Sequence, residues 1–228
     1  MTPQRPLVSV IIPVKNGARF LPQALADVQA QTYPAREVIV VDGRSTDGSP
    51  EIARSSRGVR CVTQSGDGFA DALNVGIAAT SGELIAFLDS DDRWMPEKLA
   101  RQVDVLERRP EIDYVLTRVR FFLEPGVEPP PGFRTSLLSG DHVANMPSAL
   151  LARRRLFELV GDFPTHLSVT NDIEWFATVR HSGVGREVVR EPLVMKRAHD
   201  ANLSHLAGTA YNTELLGVLR KSVARKNA

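Results

Sequence analysis

Three aspartates that follow one short apolar segment are the clearest candidates for chemistry in this sequence. Residues 84–88 are apolar throughout, and Asp89, Asp91 and Asp92 come directly after them. Neighbouring carboxylates repel one another, and a divalent cation that prefers oxygen ligands, such as Mg²⁺ or Mn²⁺, relieves that repulsion. Such a cation keeps coordination positions open for diphosphate oxygens. The cluster predicts a metal site for nucleotide diphosphate chemistry, and a solvated acidic turn is the alternative.

A second candidate is a carboxylate near the start of a predicted helix. Residues 172–181 have the pattern of a helix, so Asp172 lies in its first turn, where the helix dipole stabilises a negative charge. An ionised carboxylate at that place can accept a proton from an attacking hydroxyl within hydrogen-bond reach. Asp172 is therefore a candidate general base, and an ordinary helix-start acid is the alternative.

Alternating strands and helices are predicted to position these residues. Strand-like apolar segments lie at residues 7–13, 37–41, 59–63 and 84–88, and segments with helical spacing separate them. Asn16 is placed to cap the first helix, and Pro50 suits the first turn of the second. Such alternation predicts an α/β fold with a Rossmann-like, open and mostly parallel sheet flanked by helices, which binds ligands beyond the carboxyl ends of its strands.

The remainder of the chain is less regular. A helix is expected after Pro96 and strand structure at residues 114–123, followed by a loop at 124–133 that is rich in proline and glycine. Beyond it, residues 150–160, 172–181 and 207–223 are predicted to be helical, and 187–194 to be a strand.

The composition excludes several classes of protein. With 28 lysines and arginines against 27 acids, the net charge offers no attraction to nucleic acid. A lone cysteine, Cys61, and the absence of a recognisable signal peptide favour the cytoplasm. The apolar runs are far shorter than the roughly 20 residues that span a bilayer. Peripheral contact with anionic lipid is an alternative to a solvated helix for the last basic residues, Arg220, Lys221, Arg225 and Lys226.

Several segments together resemble the family 2 glycosyltransferases, inverting enzymes of the GT-A fold. Residues 81–94 are similar to the family's metal-binding acid motif with its preceding strand, and the other similar segments are 9–17, 40–48, 67–76 and 197–204. The chain departs from the usual pattern at Lys15, where a tyrosine is common, at Gly43, where a second aspartate is common, at Leu73, where many relatives have arginine, and at Asn171, which is usually acidic.

The resemblance implies a role for each matching residue. Asp172 matches the general base. Asp91 matches the metal ligand, and Asp89 is expected to hold the ribose or to assist the metal. His199 is expected to close over the diphosphate or to ligate the metal, and a histidine bonded within its loop is the alternative. The implied nucleotide-binding residues are Pro13, Val14, Asn16, Asp42, Arg44, Asn74, Asp89 and Ser90.

The resemblance also implies the reaction. A sugar would move from a nucleotide diphosphate sugar, expected to be a UDP-sugar, to a hydroxyl of a glycan, lipid-linked or peptide acceptor, with inversion and with bound Mn²⁺ or Mg²⁺. Residues 1–123 would bind the nucleotide sugar, and residues 124–228 would form the acceptor-side and helical part of the same domain. A non-catalytic nucleotide-sugar-binding module is the alternative suggested by the departures. A nucleotidyltransferase has less support, because residues 13–19 contain one glycine instead of a glycine-rich loop.

Overall fold

Strands and helices alternate through the first half of the chain, as the apolar pattern predicts. The computed structural model describes residues 5–34, 36–202 and 208–226. The strands are β1 Val8–Val14, β2 Arg36–Asp42, β3 Val59–Thr63, β4 Leu84–Phe87, β5 Arg93–Trp94, β6 Ile112–Phe122, β7 His142–Val143, β8 Leu150–Arg153 and β9 Gly185–Arg197. The helices are α1 Leu21–Gln29, α2 Ser49–Ser55, α3 Gly68–Ala79, α4 Lys98–Arg108, α5 Arg154–Val160, α6 Asn171–His181 and α7 Gly208–Lys226.

All these strands belong to one sheet, in the order β3-β2-β1-β4-β8-β6-β9-β5, and β7 pairs with β6. The first four are parallel, β8 is antiparallel to both of its neighbours, and β6 and β9 are again parallel. The predicted α/β class with a mostly parallel Rossmann-like sheet is therefore confirmed. Every residue of β1 and β4 is buried, because helices cover both faces of the sheet.

The prediction of one helix over residues 150–160 is wrong in its first part. Residues 150–153 form β8, which pairs with β4 and β6, and only Arg154–Val160 is helical. A short apolar run fits a buried strand as well as a buried helix, so periodicity alone could not separate the two.

The prediction that Asn16 caps the first helix is also wrong. The helix begins at Leu21, and its N-cap residue, Phe20, makes no side-chain cap bond. Asn16 has a left-handed backbone with a φ of 53°, a conformation that asparagine tolerates better than most residues, and its side chain turns towards the loop after β2.

Within the described ranges, no helix combines the length and the apolar character that crossing a membrane requires. The expected cytoplasmic location and the lipid contact of the basic C-terminal residues stay predictions.

Candidate active site

The loops after β1, β2 and β4 meet at one edge of the sheet because these strands are parallel neighbours. Val14 pairs with Asp42 across β1 and β2, and the N–H of Gly43 donates to the carbonyl of Val14 at 2.7 Å. A Cβ on Gly17 would lie 2.7 Å from Val14 Cγ2 and 3.1 Å from Ser90 Oγ. Glycine at this position therefore allows the first loop to approach the acidic loop closely, and it brings the predicted residues Val14 and Ser90 together.

Short side chains tie the first two loops to each other. The amide N–H of Thr46 donates to Asn16 Oδ1 at 2.8 Å, and the N–H of Asn16 donates to Ser45 Oγ at 2.8 Å. The N–H of Ala18 donates to Asp47 Oδ2 at 2.9 Å. Burial raises the pKa of Asp47, but hydrogen bonds from Ser49 and Ala18 outweigh it and lower that pKa below its usual value. These bonds fix the shape of the predicted nucleotide loop.

The remaining predicted nucleotide-binding residues have partners inside the protein. Asp42 is 4% exposed and accepts the N–H of Ser45 at 3.2 Å. Arg44 forms an ion pair with Asp67. The amide of Asn74 is bonded at both ends to the backbone of Phe163, at 2.8 and 2.9 Å. Pro13 lies in β1 opposite Val41 of β2. Their contacts with a nucleotide stay predictions.

The aspartates after β4 form a compact carboxylate cluster. Asp89, Asp91 and Asp92 each offer an oxygen within 4.8 Å of the others. The N–H of Asp89 donates to Ser148 Oγ at 3.0 Å, which anchors the loop to the chain just before β8. Asp89 Oδ1 is buried and accepts no hydrogen bond within the described part of the chain. A buried carboxylate oxygen without a donor, beside two further carboxylates, fits a hard divalent cation.

Asp91 is held by residues from the chain after β9. His199 Nε2 lies 2.9 Å from Asp91 Oδ2, and the Asn202 amide donates to the same oxygen at 3.1 Å. Burial raises the pKa of Asp91, but the His199 hydrogen bond and the Lys196 charge outweigh it and lower that pKa to about 2. The structure thus brings His199 to the predicted metal ligand. Whether His199 binds the metal itself stays a prediction.

Lys196, which the sequence did not single out, lies inside the cluster. Its Nζ is 3.0 Å from Asp89 Oδ2 and 3.2 Å from Asp92 Oδ2. Burial lowers the pKa of Lys196, but the charges of Asp92 and Asp89 outweigh it and raise that pKa well above its usual value. Lysine carries no motif signal at this position, because 107 residues separate it from Asp89 and only the pairing of β9 brings the two together.

Arg197 fixes the end of β9 to the acidic loop. Its Nε donates to the carbonyl of Asp91 at 2.8 Å, and its backbone N–H donates to Asp92 Oδ1 at 3.2 Å. The guanidinium lies over the rings of Phe20 and Phe122, at 4.6 and 4.8 Å from their centroids. These contacts join the end of β9 to the acidic loop, and so they help to place the neighbouring residues Lys196 and His199.

Asp172 lies at the start of α6 and shares the electrostatic environment of the cluster. Its Oδ1 accepts the N–H of Ile173 at 2.8 Å. Burial raises the pKa of Asp172 to about 6, the charge of Asp89 contributes in the same direction, and Lys196 opposes it. A carboxyl with a pKa near neutrality suits a general base. Beside it, Asn171 is 1% exposed, and its amide has no hydrogen-bond partner in the described residues.

Glu214 on α7 holds the loop that leads into α6, a role for which no pattern in the sequence provides a signal. Its carboxylate accepts the backbone N–H groups of Ser168, Val169 and Thr170 at 2.9, 3.1 and 3.0 Å. The hydroxyls of Ser168 and Thr170 donate to it as well. Burial raises the pKa of Glu214, but these hydrogen bonds outweigh it and lower that pKa to about 2. Thr170 is the N-cap residue of α6, so Glu214 fixes the end of the helix that carries Asp172.

Solved structures identify the class of fold. TarS of S. aureus in complex with UDP-GlcNAc matches with a TM-score of 0.76 at 20% identity, over 96% of this chain and 66% of that chain. A mannosyltransferase of Pyrobaculum calidifontis in complex with GDP-Man and Mn²⁺ matches with a TM-score of 0.74 at 24% identity, over 97% of this chain and 65% of that chain. The fold is that of the GT-A glycosyltransferases, as predicted.

Sequence comparison identifies the family within that class. The model of glycosyl transferase family 2 matches residues 9–182, so the chain belongs to this family. An uncharacterized glycosyltransferase of Rickettsia typhi is 32% identical over 89% of this chain and 67% of its own length. Glycosyltransferase AglE of Haloferax volcanii is 34% identical over 80% of this chain and 64% of its own length. The chain thus spans about two thirds of the length of these relatives.

Proposed function

We propose that this protein transfers a sugar from a nucleotide diphosphate sugar to an acceptor hydroxyl in one displacement, with inversion at the sugar carbon. The observation that carries the proposal is the pairing of the carboxylate cluster with Asp172. Asp172 comes from a different element, lies close enough for the charge of Asp89 to act on it, and has a pKa of about 6. A metal-compatible cluster beside a weakly basic carboxylate is the arrangement that such a transfer requires.

Each group has a defined task in this proposal. Asp172 removes the proton of the acceptor hydroxyl as its oxygen attacks. Asp91 and Asp89 would hold Mn²⁺ or Mg²⁺, and such a cation would neutralise the charge on the departing diphosphate. His199, which lies 2.9 Å from Asp91 Oδ2, would close over the diphosphate or bind the same cation. The hydrogen bonds from Arg197 to Asp91 and Asp92 would hold the acidic loop in place, which would limit the reorganisation needed during the reaction.

The donor is proposed to be a UDP-sugar that is bound by residues 1–123, with the acceptor bound by residues 124–228. Support for a sugar nucleotide comes from TarS, which binds UDP-GlcNAc, although the second structure binds GDP-Man, so both bases belong in the test. The nucleotide would lie along the loop after β1, which contains Asn16, and along the end of β2 at Asp42 with the loop that follows it. A glycan, a lipid-linked sugar or a peptide would provide the acceptor hydroxyl.

The test is release of nucleoside diphosphate from a panel of UDP- and GDP-sugars in the presence of Mn²⁺ or Mg²⁺. We expect release with one donor, its loss after addition of a chelator, and an inverted anomer when the product is analysed by NMR. Asp172→Asn should lower the rate of release by about 10²- to 10⁴-fold while the protein still binds the nucleotide. Tight nucleotide binding without turnover across donors and acceptors would contradict the proposal and favour a non-catalytic binding module.

A further inference from the structure

Lys196 places a positive charge inside the carboxylate cluster, and the proposed reaction gives it no task. The side chain is 18% exposed, and its ammonium lies between Asp89 and Asp92 at 3.0 and 3.2 Å. A dication at this cluster has two positive charges and needs the same carboxylates. Lys196 and the metal therefore compete for the negative charge of the site.

The contacts of the ammonium leave other carboxylate oxygens of the cluster unpaired with it. The ammonium covers Oδ2 of Asp89, whereas Oδ1 of the same residue is buried without a hydrogen-bond donor in the described chain. Asp91 is bonded to His199 and Asn202, and no described hydrogen bond joins it to Lys196. A metal bound to Asp89 Oδ1 and Asp91 would thus lie close to the ammonium, and the two positive charges would repel each other.

We propose that Lys196 is a charge-balancing residue that weakens divalent-cation binding to the free protein and makes tight metal binding depend on the nucleotide diphosphate. The ammonium neutralises part of the negative charge of the carboxylates, and the diphosphate would replace that charge. Metal and nucleotide would therefore bind together. This inference rests on the proposed function only in the position of the metal. It assigns an electrostatic role to a residue that lies outside the family motifs matched in this chain.

The expected effect follows from Coulomb's law. A unit charge about 6 Å from a dication, in a dielectric close to that of water, changes the affinity by about tenfold. A lower effective dielectric in the partly buried cluster increases the effect, and salt decreases it. The measurement therefore belongs at low ionic strength.

The experiment titrates Mn²⁺ alone into wild-type protein, Lys196→Gln and Lys196→Arg, and reads free Mn²⁺ by electron paramagnetic resonance. Glutamine keeps a hydrogen-bond donor without the charge, and arginine keeps the charge. We expect Lys196→Gln to bind Mn²⁺ about tenfold more tightly than wild type and Lys196→Arg to resemble wild type. Equal or weaker binding by a folded Lys196→Gln protein would overturn the proposal.

A second measurement uses wild-type protein only, so it does not depend on the variant folding. Mn²⁺ affinity is measured with and without UDP or GDP, and the proposal expects at least about a tenfold gain with one nucleotide. Equal affinity in all three conditions would overturn it. Neither measurement involves transfer. If no sugar nucleotide in the panel released nucleoside diphosphate, the proposed function would be contradicted. The metal affinities would still decide the role of Lys196.

Discussion

The loops that are proposed to bind the nucleotide and the helix that carries Asp172 are held in place by different means. The loops after β1 and β2 are linked by bonds such as the one from Thr46 to Asn16, 30 residues apart, and both ends lie within recognisable motifs. The start of α6 is held instead by Glu214, which comes from a helix more than 40 residues later. The loops proposed to bind the donor are therefore shaped by their own motifs, whereas the position of Asp172, the proposed base, depends on the C-terminal helix.

The largest expected effect separates the two regions directly. Asp172→Asn removes the acceptor of the proton and should lower the rate of transfer by about 10²- to 10⁴-fold, while nucleotide affinity changes little. Glu174→Gln is the matched control, because Glu174 lies in the same helical turn and pairs with Lys221 on α7 instead. The measurement is single-turnover transfer together with nucleotide calorimetry. Comparable loss in both variants would show that the helix, and not the base, was disturbed.

The pH dependence of transfer should report the same carboxyl. Since burial raises the pKa of Asp172 to about 6, kcat/KM should fall about tenfold per pH unit below that value and level off above it. The residual rate of Asp172→Asn should lack this limb. A wild-type profile that is flat between pH 5 and 7 would contradict the assignment of the base.

The raised pKa also has a consequence for stability. Folding disfavours the ionised form of Asp172, so its contribution is fully present below about pH 4 and is lost as the pH rises through about 6. Asp172→Asn should therefore gain about 2 kcal/mol in free energy of unfolding relative to wild type between pH 4 and pH 8. Denaturant unfolding at both pH values measures this difference. A constant difference between the two proteins would contradict burial of the carboxyl.

An intermediate effect is expected at Glu214. Glu214→Gln leaves one acceptor for several donors and should cost about 1–3 kcal/mol in free energy of unfolding. The pH at which kcat/KM falls because Asp172 is protonated should shift as well, since the start of α6 would no longer be held by the Glu214 carboxylate. Lys221→Gln is the matched control, since it removes the more exposed link between α7 and α6 and should cost under about 1 kcal/mol. Equal costs in the two variants would contradict the special role of Glu214.

The smallest effect tests the donor side. Asn16→Ala removes the acceptor for the Thr46 N–H, a bond at the surface, and should cost about 1 kcal/mol while raising the KM for the donor. Asn16→Asp keeps the acceptor and the tolerance for a left-handed backbone, so its stability should stay close to that of wild type. Donor kinetics and denaturant unfolding measure both. A large loss of kcat with unchanged KM would contradict the separation of the two regions.

The first half of the fold could be predicted because its signals are local. Apolar runs bounded by glycine, proline and polar loops gave the positions of β1 to β4 and the edge at which Asp89 and Asp42 lie. The second half was harder, since residues 150–153 form a strand only because β4 and β6 offer open edges on either side. Asn16 was assigned to the wrong task for a similar reason, because its partner, Thr46, lies on the neighbouring loop.

The family and the acidic cluster could be predicted from the sequence alone, because each depends on residue type within a short window. The same local pattern identified Asp172 as the candidate base, which stays a prediction. The tertiary structure was needed to show that Lys196 lies in the cluster, that Arg197 bonds to the acidic loop and that Glu214 holds the start of α6. These contacts join residues 44 to 107 positions apart. Strand pairing and helix packing set such distances, and no local pattern of residues contains them.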